Sequence, residues 1–223
     1  MPRKVVIINR KGGCGKTTIS TNLAGYYAAR GEMAANESFI GRASARGWMR
    51  NPEDAVLKKK QGVAASHPPA GVTTRSFQLR VPPETRCLVV DTPASLKKME
   101  LIEILRGADA ILIPVLPSSI DLFVTGAFLE DLRNMVRLYA PQAEIAVVAN
   151  RVRRNTRAFQ SLKAYLNELG MPPVACLRDT QNYVIAAQNG TSIHEMAGHV
   201  SRKDREDWQP LIDWLETGAG VAA

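Results

Sequence analysis

The chain has 223 residues, of which 45% are hydrophobic and 22% charged, the ordinary range of globular proteins, so we expect one domain over 1–223. Its longest apolar runs, such as AILIPVL at 110–116, are shorter than the roughly 20 residues that cross a bilayer, and MPRKVVIIN does not resemble a secretion signal, so we expect a cytoplasmic protein. An excess of 29 Lys and Arg over 21 Asp and Glu gives a net charge of +8, which permits a polyanionic partner without proving one.

The cysteines and histidines show no metal-binding or disulfide pattern. Cys14, Cys87 and Cys176 lie far apart with no C-x-x-C pair, and we expect Cys87 and Cys176 to be buried thiols. His194 and His199 are five positions apart, a spacing that does not place two rings on one helix face. We therefore assign no metal-ligand role to the histidines.

Apolar, β-branched runs alternate with longer helical patterns along the chain. This alternation predicts an α/β fold with a mainly parallel, twisted sheet flanked by helices. We predict strands at 4–9, 76–81, 86–91, 110–116, 144–150 and 174–177, and helices at 16–30, 51–60, 95–106, 120–139, 156–169 and 203–217. The last helix carries an apolar stripe opposite acidic residues, so we expect it to pack onto the domain rather than lie on a membrane. The stripe consists of Trp208, Leu211, Ile212 and Leu215.

The segment NRKGGCGKTT at 9–18 lies between the first predicted strand and the first predicted helix. Where a strand is followed by a glycine-rich turn and then a helix, the backbone N–H groups of the turn and the helix N-terminus together bind phosphate oxygens. We expect Lys16 to reach the β- and γ-phosphates and the Thr17 hydroxyl to bind Mg²⁺. The pattern G-x-x-x-x-G-K-[ST] fails at its first glycine, which is Arg10 here, and Lys11 precedes the glycines instead.

The variant K-G-G-x-G-K-T resembles the deviant Walker A motif of the ParA/MinD superfamily of ATPases. The resemblance implies a P-loop NTPase that binds ATP and Mg²⁺. In that family the early lysine reaches across a dimer interface to the partner's phosphates, which implies that Lys11 acts in trans. The alternative is a surface lysine beside an ordinary P-loop. The nucleotide-binding residues implied in this segment are Lys11, Gly12, Gly13, Cys14, Gly15, Lys16, Thr17 and Thr18.

Later segments are similar to further motifs of the same family. CLVVDTPA at 87–94 resembles the second acidic motif, in which Asp91 would hold Mg²⁺ through water and lead into a γ-phosphate-sensing loop. AILIPVLPSSIDL at 110–122 resembles the strand and loop that shape the dimer surface, with Pro114, Pro117 and Asp121 in the pattern, although Asp121 could also be a helix cap. VVANRVRRNTR at 147–157 resembles the end of a strand that contacts adenine, which implies that Asn150 recognises the base.

Basic residues in the second half of the chain are the candidate DNA-binding groups. The segment 177–195 is similar to the part of partition ATPases that closes over the base and carries DNA-contacting residues. Phosphate contacts give affinity without sequence preference, and two copies in a dimer add through avidity. The alternative is a solvated face with local ion pairs. The candidates are Arg151, Arg153, Arg154, Arg157, Arg178, Arg202 and Lys203.

The chain departs from the family after the first helix, where members carry a strand with two aspartates. The segment here is GEMAANESFIGRASARGW at 31–48, and the two aspartate positions fall on Ser38 and Ile40. Loss of the water-positioning acid should lower the hydrolysis rate far more than nucleotide affinity, by roughly 10²–10⁴-fold. Glu37 could substitute, and an error or frame change in the coding sequence is another explanation.

The resemblance implies a ParA-type ATPase that forms an ATP-dependent homodimer, coats nucleoid DNA non-specifically and positions a cargo through an adaptor protein. Small plasmid-partition ATPases and carboxysome-positioning ATPases resemble the chain equally well. The alternative is a binding module that dimerises on ATP and holds DNA with little turnover. A metabolic kinase would need an acceptor site, and an iron–sulfur relative would need bridging cysteines; the sequence indicates neither.

Overall fold

A computed structural model describes residues 2–38, 63–64, 85–118 and 121–218, and for 35–38, 63–64 and 121–124 only the backbone. The helix predicted at 51–60 and the strand predicted at 76–81 lie outside the described residues.

The described strands form one sheet in which every pair of neighbours is parallel. Its seven strands are ordered β3-β2-β4-β1-β5-β6-β7. The first strand therefore lies in the middle, between β4 and β5. The strands are β1 (Arg3–Ile7), β2 (Ala34–Ser38), β3 (Val63–Ala64), β4 (Cys87–Asp91), β5 (Ala110–Val115), β6 (Glu144–Val152) and β7 (Pro173–Arg178).

The described helices are α1 (Lys16–Ala29), α2 (Lys98–Leu105), α3 (Asp121–Tyr139), α4 (Arg157–Glu168), α5 (Asn182–Gln188) and α6 (Gly198–Thr217). Gly31, with φ +72°, ends the turn after α1 and donates its N–H to the carbonyl oxygen of Ala28 at 3.0 Å, an arrangement that is common for a glycine at a helix C-terminus.

Alternate residues of the central strand enter two separate apolar clusters. Val5 and Ile7 pack in a cluster with residues of α1 and α6, such as Leu23. Val6 and Ile8 pack in the other, with residues of α2, α3 and α4, such as Phe128. Because the sheet is covered on both faces, its central strands need apolar residues at every position, which explains the continuous runs in the sequence.

The predicted α/β fold with a mainly parallel sheet flanked by helices is confirmed. Among the described residues, the predicted strands and helices are present. Four features were not predicted: β2, the two-residue β3, the short α5, and the start of α6 at Gly198 rather than at 203. β2 reads AANES, without apolar alternation, and its observed neighbours are strands β4 and β3, to which it is joined by backbone pairing. Cys87 is buried as predicted, whereas Cys176 is only partly buried.

The apolar stripe of α6 packs onto the sheet, as predicted. Its residues Trp208, Leu211, Ile212 and Leu215 are all buried in the cluster that contains Val5 and Ile7. The Trp208 indole also donates a hydrogen bond to the Tyr183 hydroxyl at 2.8 Å, which joins α6 to α5. In the part of the chain that the structure describes, no helix has the length and hydropathy to span a membrane.

Candidate nucleotide-binding site

The glycine-rich loop lies where the sheet order changes direction. β1 leads into this loop, its neighbours β4 and β5 lie on either side, and the loop leads into α1. In open parallel sheets, ligands bind at this kind of switch point, beyond the carboxyl ends of the strands. The strand order in the sheet therefore places the loop, the end of β4 and the end of β5 around one site.

The loop presents open backbone at its tip. Gly13 and Gly15 have φ of +74° and +98°, a region that favours glycine. Gly12 and Gly13 are exposed, and a Cβ added to either would meet no atom of the described residues within 4 Å. Since α1 begins at Lys16, the unpaired N–H groups of its first turn face the same space. The geometry suits an anion such as a phosphate group.

Lys16 is buried and folded back on the loop. Its Nζ lies 3.0 Å from the carbonyl oxygen of Lys11 and 3.9 Å from the sulfur of Cys14. The Cys14 thiol also donates to the Lys11 carbonyl at 3.2 Å, and burial raises the pKa of this thiol. The ammonium of Lys16 is therefore already held inside the loop, from where it can exchange a carbonyl oxygen for a phosphate oxygen.

Thr17 and Asp91 meet across the gap between α1 and β4. The Thr17 hydroxyl donates to Oδ2 of Asp91 at 2.7 Å, while the buried Oδ1 has no hydrogen-bond partner among the described residues. Burial raises the pKa of Asp91 to about 6, against the opposing effects of the Thr17 hydrogen bond and the Lys16 charge. A hydroxyl beside an unsatisfied carboxylate oxygen fits the donor set that Mg²⁺ prefers.

Asn150 is buried beneath the loop, and its amide nitrogen donates to the carbonyl oxygen of Cys14 at 2.8 Å. An added Cβ at Gly15 would collide with this amide group. The register of β6 against β7 shifts between Ala149 and Val152, and Arg151 has φ +51°, so the strand is irregular at Asn150. The structure therefore shows Asn150 supporting the loop. Its role in base recognition stays a prediction.

Asn9 is a site residue that the sequence reasoning missed. It is buried two positions after the end of β1 and makes two hydrogen bonds through its side chain. Its amide nitrogen donates to the carbonyl oxygen of Pro114 at 2.7 Å, and its Oδ1 accepts from the N–H of Lys11 at 2.9 Å. No local sequence pattern indicates this contact, because Pro114 is 105 positions away.

The end of β2 lies beside Asp91. Ser38 pairs with Asp91 and Glu37 with Val90 in the parallel register of β2 and β4. Residue 38, one of the two positions where the family resemblance implies an aspartate, is thus at the carboxyl end of a strand next to the candidate Mg²⁺ site. Ile40 and the side chain of Asp121 lie outside the described part.

Four of the arginines predicted to contact DNA form ion pairs within the protein. Arg153 lies 2.8 Å from Asp179 and Arg154 lies 2.9 Å from Asp207. Arg178 is partly buried and bridges Asp204 and Asp207 at 3.1 and 3.0 Å. Arg202 pairs more loosely with Glu206, at 3.7 Å. These contacts match the alternative of local ion pairs, most clearly for Arg178.

The other three predicted DNA contacts differ from these. Arg151, Arg157 and Lys203 are exposed and have no ion pair with any described residue. Among the predicted DNA contacts, these three have the least compensation of their positive charge by nearby carboxylates of the described residues.

The parallel sheet and the loop between β1 and α1 have the architecture of P-loop NTPases. Residues 5–35 match the CobQ/CobB/MinD/ParA nucleotide binding domain family. Two curated relatives are each named maintenance of carboxysome distribution protein A. The relative from Halothiobacillus neapolitanus is 27% identical over 194 residues, which cover 86% of this chain and 87% of the relative. The relative from Gloeobacter kilaueensis is 26% identical over 228 residues, with coverages of 96% and 94%.

Solved structures share the fold at low identity. A variant of McdA from Cyanothece in complex with ATP is 14% identical with a TM-score of 0.64, covering 94% of this chain and 96% of its own. A putative plasmid partition protein from Borrelia burgdorferi B31 bound to AMPPNP is 14% identical with a TM-score of 0.68 and coverages of 96% and 99%. The septum site-determining protein MinD from Pyrococcus horikoshii OT3, complexed with Mg-ADP, is 14% identical with a TM-score of 0.66 and coverages of 100% and 99%.

These comparisons confirm the resemblance to the ParA/MinD superfamily that the sequence predicts. The adenine nucleotides and magnesium in the neighbouring structures agree with the ATP and Mg²⁺ predicted for this chain.

Proposed function

We propose that this protein is a ParA-type ATPase that forms an ATP-dependent sandwich dimer, binds DNA non-specifically and positions a cargo on the nucleoid. Residues 1–223 act as one P-loop ATPase domain in this proposal. The carboxysome is the favoured cargo, because both curated relatives are named for carboxysome distribution and align with most of the chain. A separate adaptor protein would link the dimer to the cargo.

The observation that supports this proposal best is the arrangement of the loop around Lys11. Its N–H is bonded to Asn9 and its carbonyl oxygen accepts from Lys16, so the backbone of Lys11 is part of the phosphate-binding loop itself. Lys16 lies inside the loop and is buried. Two lysines in one loop therefore have different environments. This is consistent with Lys16 binding the phosphates of its own subunit and Lys11 binding those of the partner.

Each residue of the site has a defined part in ATP binding. Lys16 and the N–H groups at the start of α1 bind phosphate oxygens, while Gly12 and Gly13 leave room for them. Thr17 and Asp91 would hold Mg²⁺, which would supply positive charge beside the phosphates. The buried core beneath the loop keeps these groups in place. Positioning of this kind is the main source of catalysis in phosphoryl transfer.

DNA binding in this proposal relies first on the three exposed cations that form no ion pair with a described residue, Arg151, Arg157 and Lys203. Arg153, Arg154 and Arg202 are exposed but paired, and a phosphate would have to compete with their carboxylates. Contacts with DNA phosphates give an affinity that depends on the salt concentration but not on the DNA sequence.

A second candidate function is an ATP-gated DNA-binding dimer with little or no hydrolysis. Ser38 favours it, because a hydroxyl stands at an aligned aspartate position and its backbone lies in register with Asp91. A serine cannot act as a general base or orient water as a carboxylate does. ATP would then close the dimer and remain bound.

Restoring the acid distinguishes the two candidates. ATP turnover is measured with duplex DNA present for the wild type and for Ser38→Asp, with Asn36→Asp as a control on the same strand. Turnover of the wild type well above that of Lys16→Ala supports the ATPase. Background turnover that rises by roughly 10²-fold only in Ser38→Asp supports the binding module. If the two aspartate variants behave alike, residue 38 is not the water-positioning site.

A further inference from the structure

We propose that Asn9 is the positioning residue that holds Lys11 for its action across the dimer, by joining the backbone of Lys11 to the end of β5. This inference rests on the proposed ATP-dependent dimer and adds to it a residue outside the predicted phosphate-binding set.

The side chain of Asn9 uses both of its polar groups on backbone. The amide nitrogen donates to Pro114, the last residue but one of β5, at 2.7 Å, and Oδ1 accepts from the N–H of Lys11 at 2.9 Å. Asn9 is 6% exposed, so water does not readily replace either partner. The amide thus forms a bridge from the sheet to the first residue of the phosphate-binding set.

The other anchors of this part of the loop are weaker or temporary. Arg10 pairs with Asp131 at 3.2 Å, but both side chains are mostly exposed, and such pairs stabilise little. Lys16 holds the carbonyl oxygen of Lys11, yet Lys16 is also the residue expected to bind phosphate. When Lys16 binds phosphate, the Lys11 backbone still donates its N–H to Asn9 at 2.9 Å, and its carbonyl oxygen keeps only the weaker hydrogen bond from the Cys14 thiol among the bonds described above.

A lysine that contacts the partner's phosphates needs its own backbone held in a fixed position. Displacing a group in a phosphate site by about 1 Å can cost on the order of 10²-fold. Without the Asn9 side chain, the Lys11 N–H and the Pro114 carbonyl oxygen lose the hydrogen bonds that join them, and the loop start can move. The two side-chain bonds of Asn9 go to Pro114 and Lys11 rather than to Lys16, Thr17 or the tip of the loop, so nucleotide binding within one subunit should be affected much less.

Asn22 offers a matched control. It is also a buried asparagine whose side chain makes two hydrogen bonds to backbone. Its amide nitrogen donates to the carbonyl oxygen of Thr18 at 2.8 Å, and its Oδ1 accepts from the N–H of Ile193 at 2.9 Å. One of these bonds lies within α1 and the other joins α1 to the segment around Ile193, and neither involves Lys11. Asn22→Ala therefore removes the same kind of interaction from the core without touching the start of the loop.

The test measures two affinities for full-length wild type, Asn9→Ala, Asn9→Ser and Asn22→Ala. Nucleotide affinity is measured with a fluorescent ATP analogue at protein concentrations that keep the chain monomeric, and dimer affinity by sedimentation with ATP and Mg²⁺. We expect both Asn9 variants to weaken the dimer by about 10-fold or more and to change nucleotide affinity by less than about 3-fold. Asn22→Ala should lower the melting temperature while leaving the dimer affinity near that of the wild type. Asn9→Ser serves as the smaller change if Asn9→Ala does not fold.

Other results contradict the inference. If both affinities fall together in the Asn9 variants, or if Asn22→Ala weakens the dimer as much, Asn9 has only a general structural role. A wild-type dimer that requires Lys11 but tolerates Asn9→Ala overturns this inference alone. A wild type that stays monomeric with ATP contradicts the proposed function and this inference with it.

Discussion

The hydroxyl of Thr17 donates to Oδ2 of Asp91 at 2.7 Å, joining the first turn of α1 to the end of β4. The two residues are 74 positions apart in the chain, yet the parallel pairing of β1 with β4 brings them together. Because Oδ1 of Asp91 is buried without a partner among the described residues, this pair is the part of the site that a cation would complete.

Thr17→Ala should remove the magnesium dependence of nucleotide binding. In the wild type we expect ATP affinity to fall by about 10-fold or more when Mg²⁺ is chelated, since the ion neutralises phosphate charge. In Thr17→Ala the affinities with and without Mg²⁺ should be nearly equal, and Thr17→Ser should behave like the wild type. Calorimetric titration with ATP measures this. An unchanged magnesium dependence in Thr17→Ala would place the ion elsewhere.

Neutralising Arg151, Arg157 and Lys203 together should weaken DNA binding evenly across sequences and flatten its salt dependence. Each phosphate contact contributes a slope of about −0.9 in log affinity against log salt, so three lost contacts should be visible. The matched control is the triple replacement of Arg153, Arg154 and Arg202, which removes the same charge from residues that are ion-paired. Equal effects of the two triple variants would show that internal ion pairs do not decide which arginines contact DNA.

His194 should make the protein less stable in mild acid. Its ring lies edge-on to Tyr26 and Trp208, and burial and the charge of Arg205 lower its pKa from 6.5 to about 4. A lowered pKa means that the unfolded state binds the proton first. The stabilising contribution is therefore complete above pH 6.5 and is lost as the pH falls towards 4.

Denaturant unfolding at several pH values checks this expectation. Between neutral pH and pH 4, protonation of His194 should lower the free energy of unfolding by roughly 1–3 kcal/mol. His194→Phe, which keeps an aromatic ring, should flatten this dependence, whereas the exposed His199→Phe should not. If His194→Phe retains the full acid dependence, another group is responsible.

The parts of the fold that follow from local patterns could be predicted from the sequence. β1 and β4 are continuous apolar runs, and α1 begins where the glycines end, so the loop and Asp91 were placed correctly. β2 was missed because AANES lacks an apolar pattern, and the structure instead shows it joined to β4 and β3 by backbone pairing. The early start of α6 was missed because its first turn does not belong to the apolar stripe.

The side-chain contacts of the site could not be predicted in the same way. Asn9 reaches Pro114, Asn150 reaches Cys14, and Arg178 reaches Asp204 and Asp207, each across a long stretch of sequence. Nothing local to an asparagine or an arginine indicates such a partner. The sequence therefore identified arginines as candidate DNA contacts, and only the folded chain shows which of them are already paired.

The central claim is that Lys11 acts across an ATP-dependent dimer, and sedimentation of the wild type, Lys11→Ala and Lys16→Ala with ATP and Mg²⁺ tests it most directly. We expect the wild type to dimerise only with ATP, Lys11→Ala to bind ATP with near-normal affinity but remain monomeric, and Lys16→Ala to lose ATP binding. A Lys11→Ala protein that dimerises as the wild type does would contradict the account.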